Sequence, residues 1–138
     1  MKLKVKSSGQ YLNILNAAQN NGAIACQGNM PTTTNFDWEL IPSTTAGGYF
    51  LLRVKSSGQF LNILNESQNN GATACQGNMP TTDNFLWQII PDNGPYFKLK
   101  VKSSGQYLNI LNAGQNNGDL ACQGNNPTTD NFLWQFEV

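Results

Sequence analysis

Four uncharged amides, Asn13, Gln27, Asn29 and Asn35, recur as Asn62, Gln76, Asn78 and Asn84, and again as Asn109, Gln123, Asn125 and Asn131. An amide side chain both donates and accepts hydrogen bonds, so a cluster of them suits a ligand whose adjacent hydroxyls do the same. It does so without burying an unpaired charge. The chemistry that fits is the grip of a neutral sugar, with three equivalent candidate carbohydrate-binding sites. Strand alternation places Asn13 and Gln27 outward, with Asn29 and Asn35 in a loop that closes over the same patch. Asn35 fits equally a brace for the loop before Trp38. Asn16, Asn20 and Asn21 read as turn residues, because asparagine tolerates left-handed backbone.

Amides dominate the polar inventory: 20 Asn and 11 Gln stand beside 8 basic and 8 acidic residues. Balanced charge, with only 12% of residues charged, leaves no basic footprint for nucleic acid. There is no histidine, and the acidic residues do not recur as a pair in every copy, so a two-carboxylate hydrolase has no repeated site. No Cys/His cluster offers a metal site, and no glycine-rich phosphate loop opens a helix. The expectation is a binding protein and not an enzyme, with no cofactor and no metal. Cys26, Cys75 and Cys122 sit at equivalent positions and are odd in number, which argues against a disulfide framework. They read as buried small hydrophobes on the inward face beside Ile24.

No apolar stretch approaches the ~18 residues that span a bilayer, so membrane insertion is not expected. Residues Met1 to Lys6 enter a repeat at once, without the apolar run of a signal peptide. The default expectation is a soluble cytoplasmic protein, or one exported by a non-classical route. The sequon Asn65-Glu66-Ser67 occurs in one copy and is a weak pointer to secretion.

The elements that must hold the amides come from an internal repeat. Val5 to Trp38 recurs from Val54 to Trp87 and from Val101 to Trp134, and each pair of blocks agrees at 28 of 34 positions. Leu3-Lys4-Val5-Lys6 alternates apolar and polar, as a half-buried strand does, and Tyr11 to Leu15 nearly does so. Ser7-Ser8-Gly9 is a turn between them. Ala23 to Gln27 forms a third strand after Asn20-Asn21-Gly22, whose Asn-Gly step suits a tight turn. Trp38 to Ile41 forms a fourth, after a loop containing Pro31 and three threonines. Helical periodicity is absent.

Twelve short strands without atypical end copies do not suit a solenoid, and three blades are fewer than propellers use. Closure about a threefold axis needs no caps. The expected architecture is all-β: a β-trefoil of three repeats of four short strands with pseudo-threefold symmetry. It forms a single domain over 1–138, with repeats at approximately 1–46, 47–94 and 95–138. Leu12, Ile14, Ile24, Cys26, Trp38 and their equivalents are expected to fill a shared core.

The order Ser8-Gly9-Gln10-Tyr11-Leu12-Asn13-Ile14, Asn21-Gly22, Ile24 to Gln27 and Asn35-Phe36-Asp37-Trp38 occurs three times. It resembles the ricin-B-type (R-type) lectins, along the whole chain. The acidic residue with which many members grip a hydroxyl pair is Asn13, Asn62 and Asn109 here. The family's Gln two residues before the Trp is replaced by Phe36, Phe85 and Phe132. The layout is similar to marine trefoil lectins that lack that signature and place polar ligands at positions matching Asn13, Gln27 and Asn29. The resemblance implies a lectin for neutral glycans of galactose or N-acetylgalactosamine type.

A sugar site also needs a ring face for the apolar side of a pyranose. Trp38, Trp87 and Trp134 read as core, which leaves the Tyr11, Phe60 and Tyr107 set or the Phe36 set. Substitutions between copies fall at Ala17/Glu66/Ala113, Ala18/Ser67/Gly114, Ala23/Ala72/Asp119, Thr34/Asp83/Asp130 and Asp37/Leu86/Leu133, while the four amides do not vary. Such a protein would crosslink glycans or glycoconjugates, as a monomer or a homodimer. Two other classes stay open: a protein-binding trefoil, either protease inhibitor or cytoskeletal crosslinker, and a symmetric scaffold without a ligand, natural or engineered.

Overall fold

Each copy begins with a hairpin set by its Ser-Ser-Gly turn. Gly9 takes φ 72°, a value that costs glycine little. The Val5 and Gly9 N–H groups donate to the Gln10 and Val5 carbonyls at 2.9 Å each. Ser8 Oγ accepts from the Gln10 N–H at 3.1 Å.

The computed structural model describes residues 1–138 and contains twelve strands. The first copy carries β1 (Lys2–Val5), β2 (Tyr11–Ile14), β3 (Ala25–Gly28) and β4 (Trp38–Pro42). The second carries β5 (Phe50–Val54), β6 (Phe60–Ile63), β7 (Ala74–Gly77) and β8 (Trp87–Pro91). The third carries β9 (Phe97–Val101), β10 (Tyr107–Ile110), β11 (Ala121–Gly124) and β12 (Trp134–Glu137). All pairs are antiparallel. The long ladders join β1 to β12, β4 to β5 and β8 to β9, with shorter contacts from β5 to β8 and from β9 to β12. The Trp38 N–H donates to the Met1 carbonyl at 2.7 Å and closes the circuit. A closed barrel leaves no long sheet edge for another chain to extend. The hairpins β2–β3, β6–β7 and β10–β11 cap one end. This is the β-trefoil, and no helix is long and apolar enough to cross a membrane.

The core holds Leu3, Val5, Leu12, Ile14, Ala25 and Trp38 from the first copy and their counterparts from the others. Burying a side chain of this size contributes roughly 1.5–3 kcal/mol. The tryptophans are core, as expected, and each also donates its indole N–H to a strand carbonyl: Trp38 to Leu12, Trp87 to Leu61 and Trp134 to Leu108.

The expected parity of the third strand is reversed. Ala25 and Gln27 face inward and are fully buried, whereas Ile24 is half-buried and lies outside the core cluster. Cys26 is buried, but on the other face, with its thiol on Asn13 Oδ1 at 3.6 Å. The cause is the convergence of the three caps. Residues flanking β3, β7 and β11 bridge one another in a ring, Ile24 to Cys75, Thr73 to Cys122 and Leu120 to Cys26. Where three strands meet, a small inward residue fits, and all copies place alanine there. Hydropathy alone favours the opposite face.

The turn chemistry also differs in detail. Both Asn16 and Ala17 adopt positive φ, 59° and 53°, while at the Asn-Gly step only Gly22 does, at 89°. In the third copy the swaps at two variable positions are coupled. A Cβ on Gly114 would lie 2.0 Å from the Asp119 carboxylate, which accepts from the Asn116 N–H at 2.9 Å.

Replacing Trp87 by Phe leaves the Leu61 carbonyl without its indole partner and opens a void. The expected loss is about 2–4 kcal/mol, read as a lowered urea midpoint with an unchanged m-value.

Candidate functional site

The β6–β7 hairpin places Asn62 and Asn78 at one cleft, the short turn before β8 brings Asn84 onto Asn62 at 3.2 Å, and the structure adds a wall from the preceding copy. The Asn78 N–H donates to Asn21 Oδ1 at 2.8 Å. The Asn125 N–H is held by Asn70 Oδ1 at 2.8 Å, and the Asn29 N–H by Asn117 Oδ1 at 2.9 Å. Each candidate site therefore lies on a seam between copies.

Two seams hold measurable clefts. One of about 250 Å³ is lined by Asn21 and Gly22 on one side and by Asn62, Asn65, Asn78 and Phe85 on the other. The second, of about 220 Å³, is lined by Asn70 and Gly71 facing Asn109, Asn112, Asn125, Asn131 and Phe132. Both volumes lie below the ~300–1,000 Å³ of drug-sized pockets.

The predicted amides separate into distinct roles. Gln27 is fully buried instead of outward, and its head group is committed. Its Oε1 accepts from Ser8 Oγ at 2.7 Å, and its Nε2 donates to the Gly114 and Asn116 carbonyls at 3.0 and 2.9 Å. Gln76 and Gln123 repeat the pattern on the other seams. Asn35 is buried and braces its loop: Nδ2 donates to the Ile14 carbonyl at 3.0 Å and to Asn13 Oδ1 at 3.3 Å, and Oδ1 accepts from Thr33 Oγ1. Asn84 does the same in the second copy. Asn131 donates to the Ile110 carbonyl at 3.0 Å in the third.

Asn13 is 5% exposed and forms the floor, its Nδ2 donating to the Tyr11 and Cys26 carbonyls at 3.3 Å each. Asn62 is held likewise, and Asn109 is equally buried. Asn29, Asn78 and Asn125 are exposed, and only their backbone N–H groups are engaged by the neighbouring copy. Their side-chain amides face solvent at the cleft mouth.

The aromatic at the cleft belongs to the Phe36 set, since Phe85 and Phe132 line the two clefts. These rings press on glycine: a Cβ on Gly28 would lie 2.8 Å from Phe36 Cζ and 2.9 Å from Asn13 Nδ2. Tyr11, Phe60 and Tyr107 are instead covered by Lys4, Arg53 and Lys100, whose charges sit 5.7–5.8 Å from the ring centres.

Residues such as Asn21 and Asn65 belong to the clefts as well as to turns, and sequence reasoning gave them only the turn. The signal for Asn65 is its left-handed backbone, φ 58°. For Asn21 it is a partner 57 residues away, which no local pattern shows. A variable lining position was also passed over: Met79 in one cleft corresponds to Asn126 in the other.

Burial pushes the Cys26, Cys75 and Cys122 thiols up to about 11, against a smaller downward pull from the Asn13, Asn62 and Asn109 side chains. The native thiols bind protons more tightly than unfolded ones, so their contribution to stability is complete below about pH 9 and declines as pH rises towards 11. A thiol reagent at pH 8 is expected to leave the native protein unlabelled and to label three cysteines in denaturant. Replacing Gln76 by Leu strands the Ala18 and Asn20 carbonyls. Its expected cost is about 2–4 kcal/mol by chemical denaturation.

The ricin-type β-trefoil lectin domain-like family model matches twice, over residues 1–77 and 41–124. The designed threefold-symmetric protein ThreeFoil shares 29% identity over 99% of this chain and 97% of its own, with a TM-score of 0.93. The Rhizoctonia solani agglutinin superposes with a TM-score of 0.86 at 18% identity, over 97% of this chain and 90% of its own. The earthworm R-type lectin C-half, crystallised with GalNAc, gives a TM-score of 0.71 at 15% identity, over 96% and 93%. No curated protein sequence matches. With more than half of the chain matched by that model and the trefoil complete, the protein belongs to the ricin-type β-trefoil lectin domain-like family.

Proposed function

We propose that the protein is a trivalent lectin that binds neutral glycans without catalysis and crosslinks them. Each seam takes one sugar of galactose or N-acetylgalactosamine type. The observation that carries this reading is the recurrence of an amide-lined seam at which the exposed side chain of Asn29, Asn78 or Asn125 is free of internal hydrogen bonds, while the floor amides behind it, Asn13 and Asn35 with counterparts such as Asn62, Asn84 and Asn131, are bonded to backbone carbonyls. Fixed floor groups lower the ordering cost of binding, and the free amide offers a donor and an acceptor to a hydroxyl pair. A ring edge from the Phe36 set supplies the apolar part of the cleft. The choice of sugar is supported by the family and by the earthworm R-type lectin C-half, whose structure contains GalNAc.

A site this shallow binds at about millimolar Kd, near −4 kcal/mol. Three sites spaced about a threefold axis raise the avidity for a dense glycan surface by about 10² where spacing allows.

The triple substitution Asn29→Ala, Asn78→Ala and Asn125→Ala tests the reading. It removes one or two hydrogen bonds per site, so sugar affinity is expected to fall about 5–10-fold per site, with haemagglutination lost. The melting temperature should hold, because exposed side chains without internal partners change stability by less than about 0.5 kcal/mol. Retained agglutination, or capture of one stoichiometric protein insensitive to free sugar, counts against it.

A further inference from the structure

The three seams are not chemically equal. Every position lining the second and third clefts is identical between copies except one, where Met79 stands in the second and Asn126 in the third. The first copy carries Met30 at that position. Met30 and Met79 are 71% and 70% exposed, the most exposed large apolar side chains apart from the terminal Val138. Each immediately follows the free amide of its site, Asn29 or Asn78, so it flanks the place where a ligand is gripped.

A solvent-facing thioether at the mouth of a polar cleft is an adaptable apolar contact, flexible enough to close over a small hydrophobic group. Asparagine at the same place offers another hydrogen-bonding pair and no apolar cover. The remaining lining does not vary, so this position alone can separate the preferences of the sites.

On the lectin reading above, we infer that the first and second sites select a sugar bearing an acetamido group, whose methyl packs on Met30 or Met79, while the third, with Asn126, takes the plain hexose equally well. The expected preference at the first two sites is roughly threefold to fivefold for the acetamido sugar, the worth of about one buried methyl group. No such preference is expected at the third. The protein then holds two kinds of site in a two-to-one ratio and can bridge unlike glycan ends.

The test is a titration by NMR of protein labelled at the methionine methyls and the asparagine side-chain amides, with methyl N-acetylgalactosaminide and, separately, methyl galactoside. The Met30 and Met79 methyl signals are expected to shift, and to saturate at roughly threefold to fivefold lower concentration with the acetamido sugar. The Asn126 amide is expected to saturate alike with both. Met79→Asn should abolish the discrimination at the second site, and Asn126→Met should install it at the third; both residues are exposed, so folding is not at stake. One ratio at all three seams, or seam binding that leaves the methionine methyls unmoved, overturns the inference while the lectin reading stands. Silence at every seam with both sugars overturns the lectin reading and this inference with it.

Discussion

Three buried glutamines hold the molecule together across its seams. Gln27, Gln76 and Gln123 each reach from one copy to two backbone carbonyls of the preceding copy, and each is locked by a serine hydroxyl from its own. Inside a protein such carbonyls are costly if left alone, and a neutral amide answers them without introducing a charge. A second set adds to the latch: Gln10, Gln59 and Gln106 donate to the carbonyls of Gln115, Gln19 and Gln68. Those three residues donate in turn to Ser7, Ser56 and Ser103. The glutamine content of the chain is thus largely the price of closing a ring of near-identical units.

With the seams fixed, the clefts follow. The same turn that receives the latch sends its Asn21, Asn70 or Asn117 side chain to the next copy's free amide position. A bonded floor and an unbonded rim come from one construction. Asn13 and Asn35 are tied down by bonds to backbone, while the exposed side chain of Asn29 has no such ties.

Much of the fold was legible because a repeat of this fidelity carries strand, turn and core positions three times over. The tryptophans, the alternating first strands and the Ser-Ser-Gly turns all read correctly from local pattern. Gln27 did not: a polar residue in a short strand reads as outward, yet its partners lie 87 and 89 residues away. Ala25 was passed over for Ile24 on hydropathy, because nothing local shows three strands converging on one axis. The same blindness hid the reach of Asn21 to the next copy, while the loop position of Asn29 was legible because it needs no distant side-chain partner. Among the aromatics, the lysine and arginine covers over the Tyr11 set are visible only in three dimensions.

Since the two banks of each cleft belong to different copies, a lone repeat possesses neither a complete cleft nor a satisfied interior. A guest lodged between the banks would act as a clamp on the junction beneath it, and mass action would then make the folded ring more resistant to opening by an amount that grows with the logarithm of guest concentration over Kd. Recognition and ring closure are in this way two faces of one equilibrium.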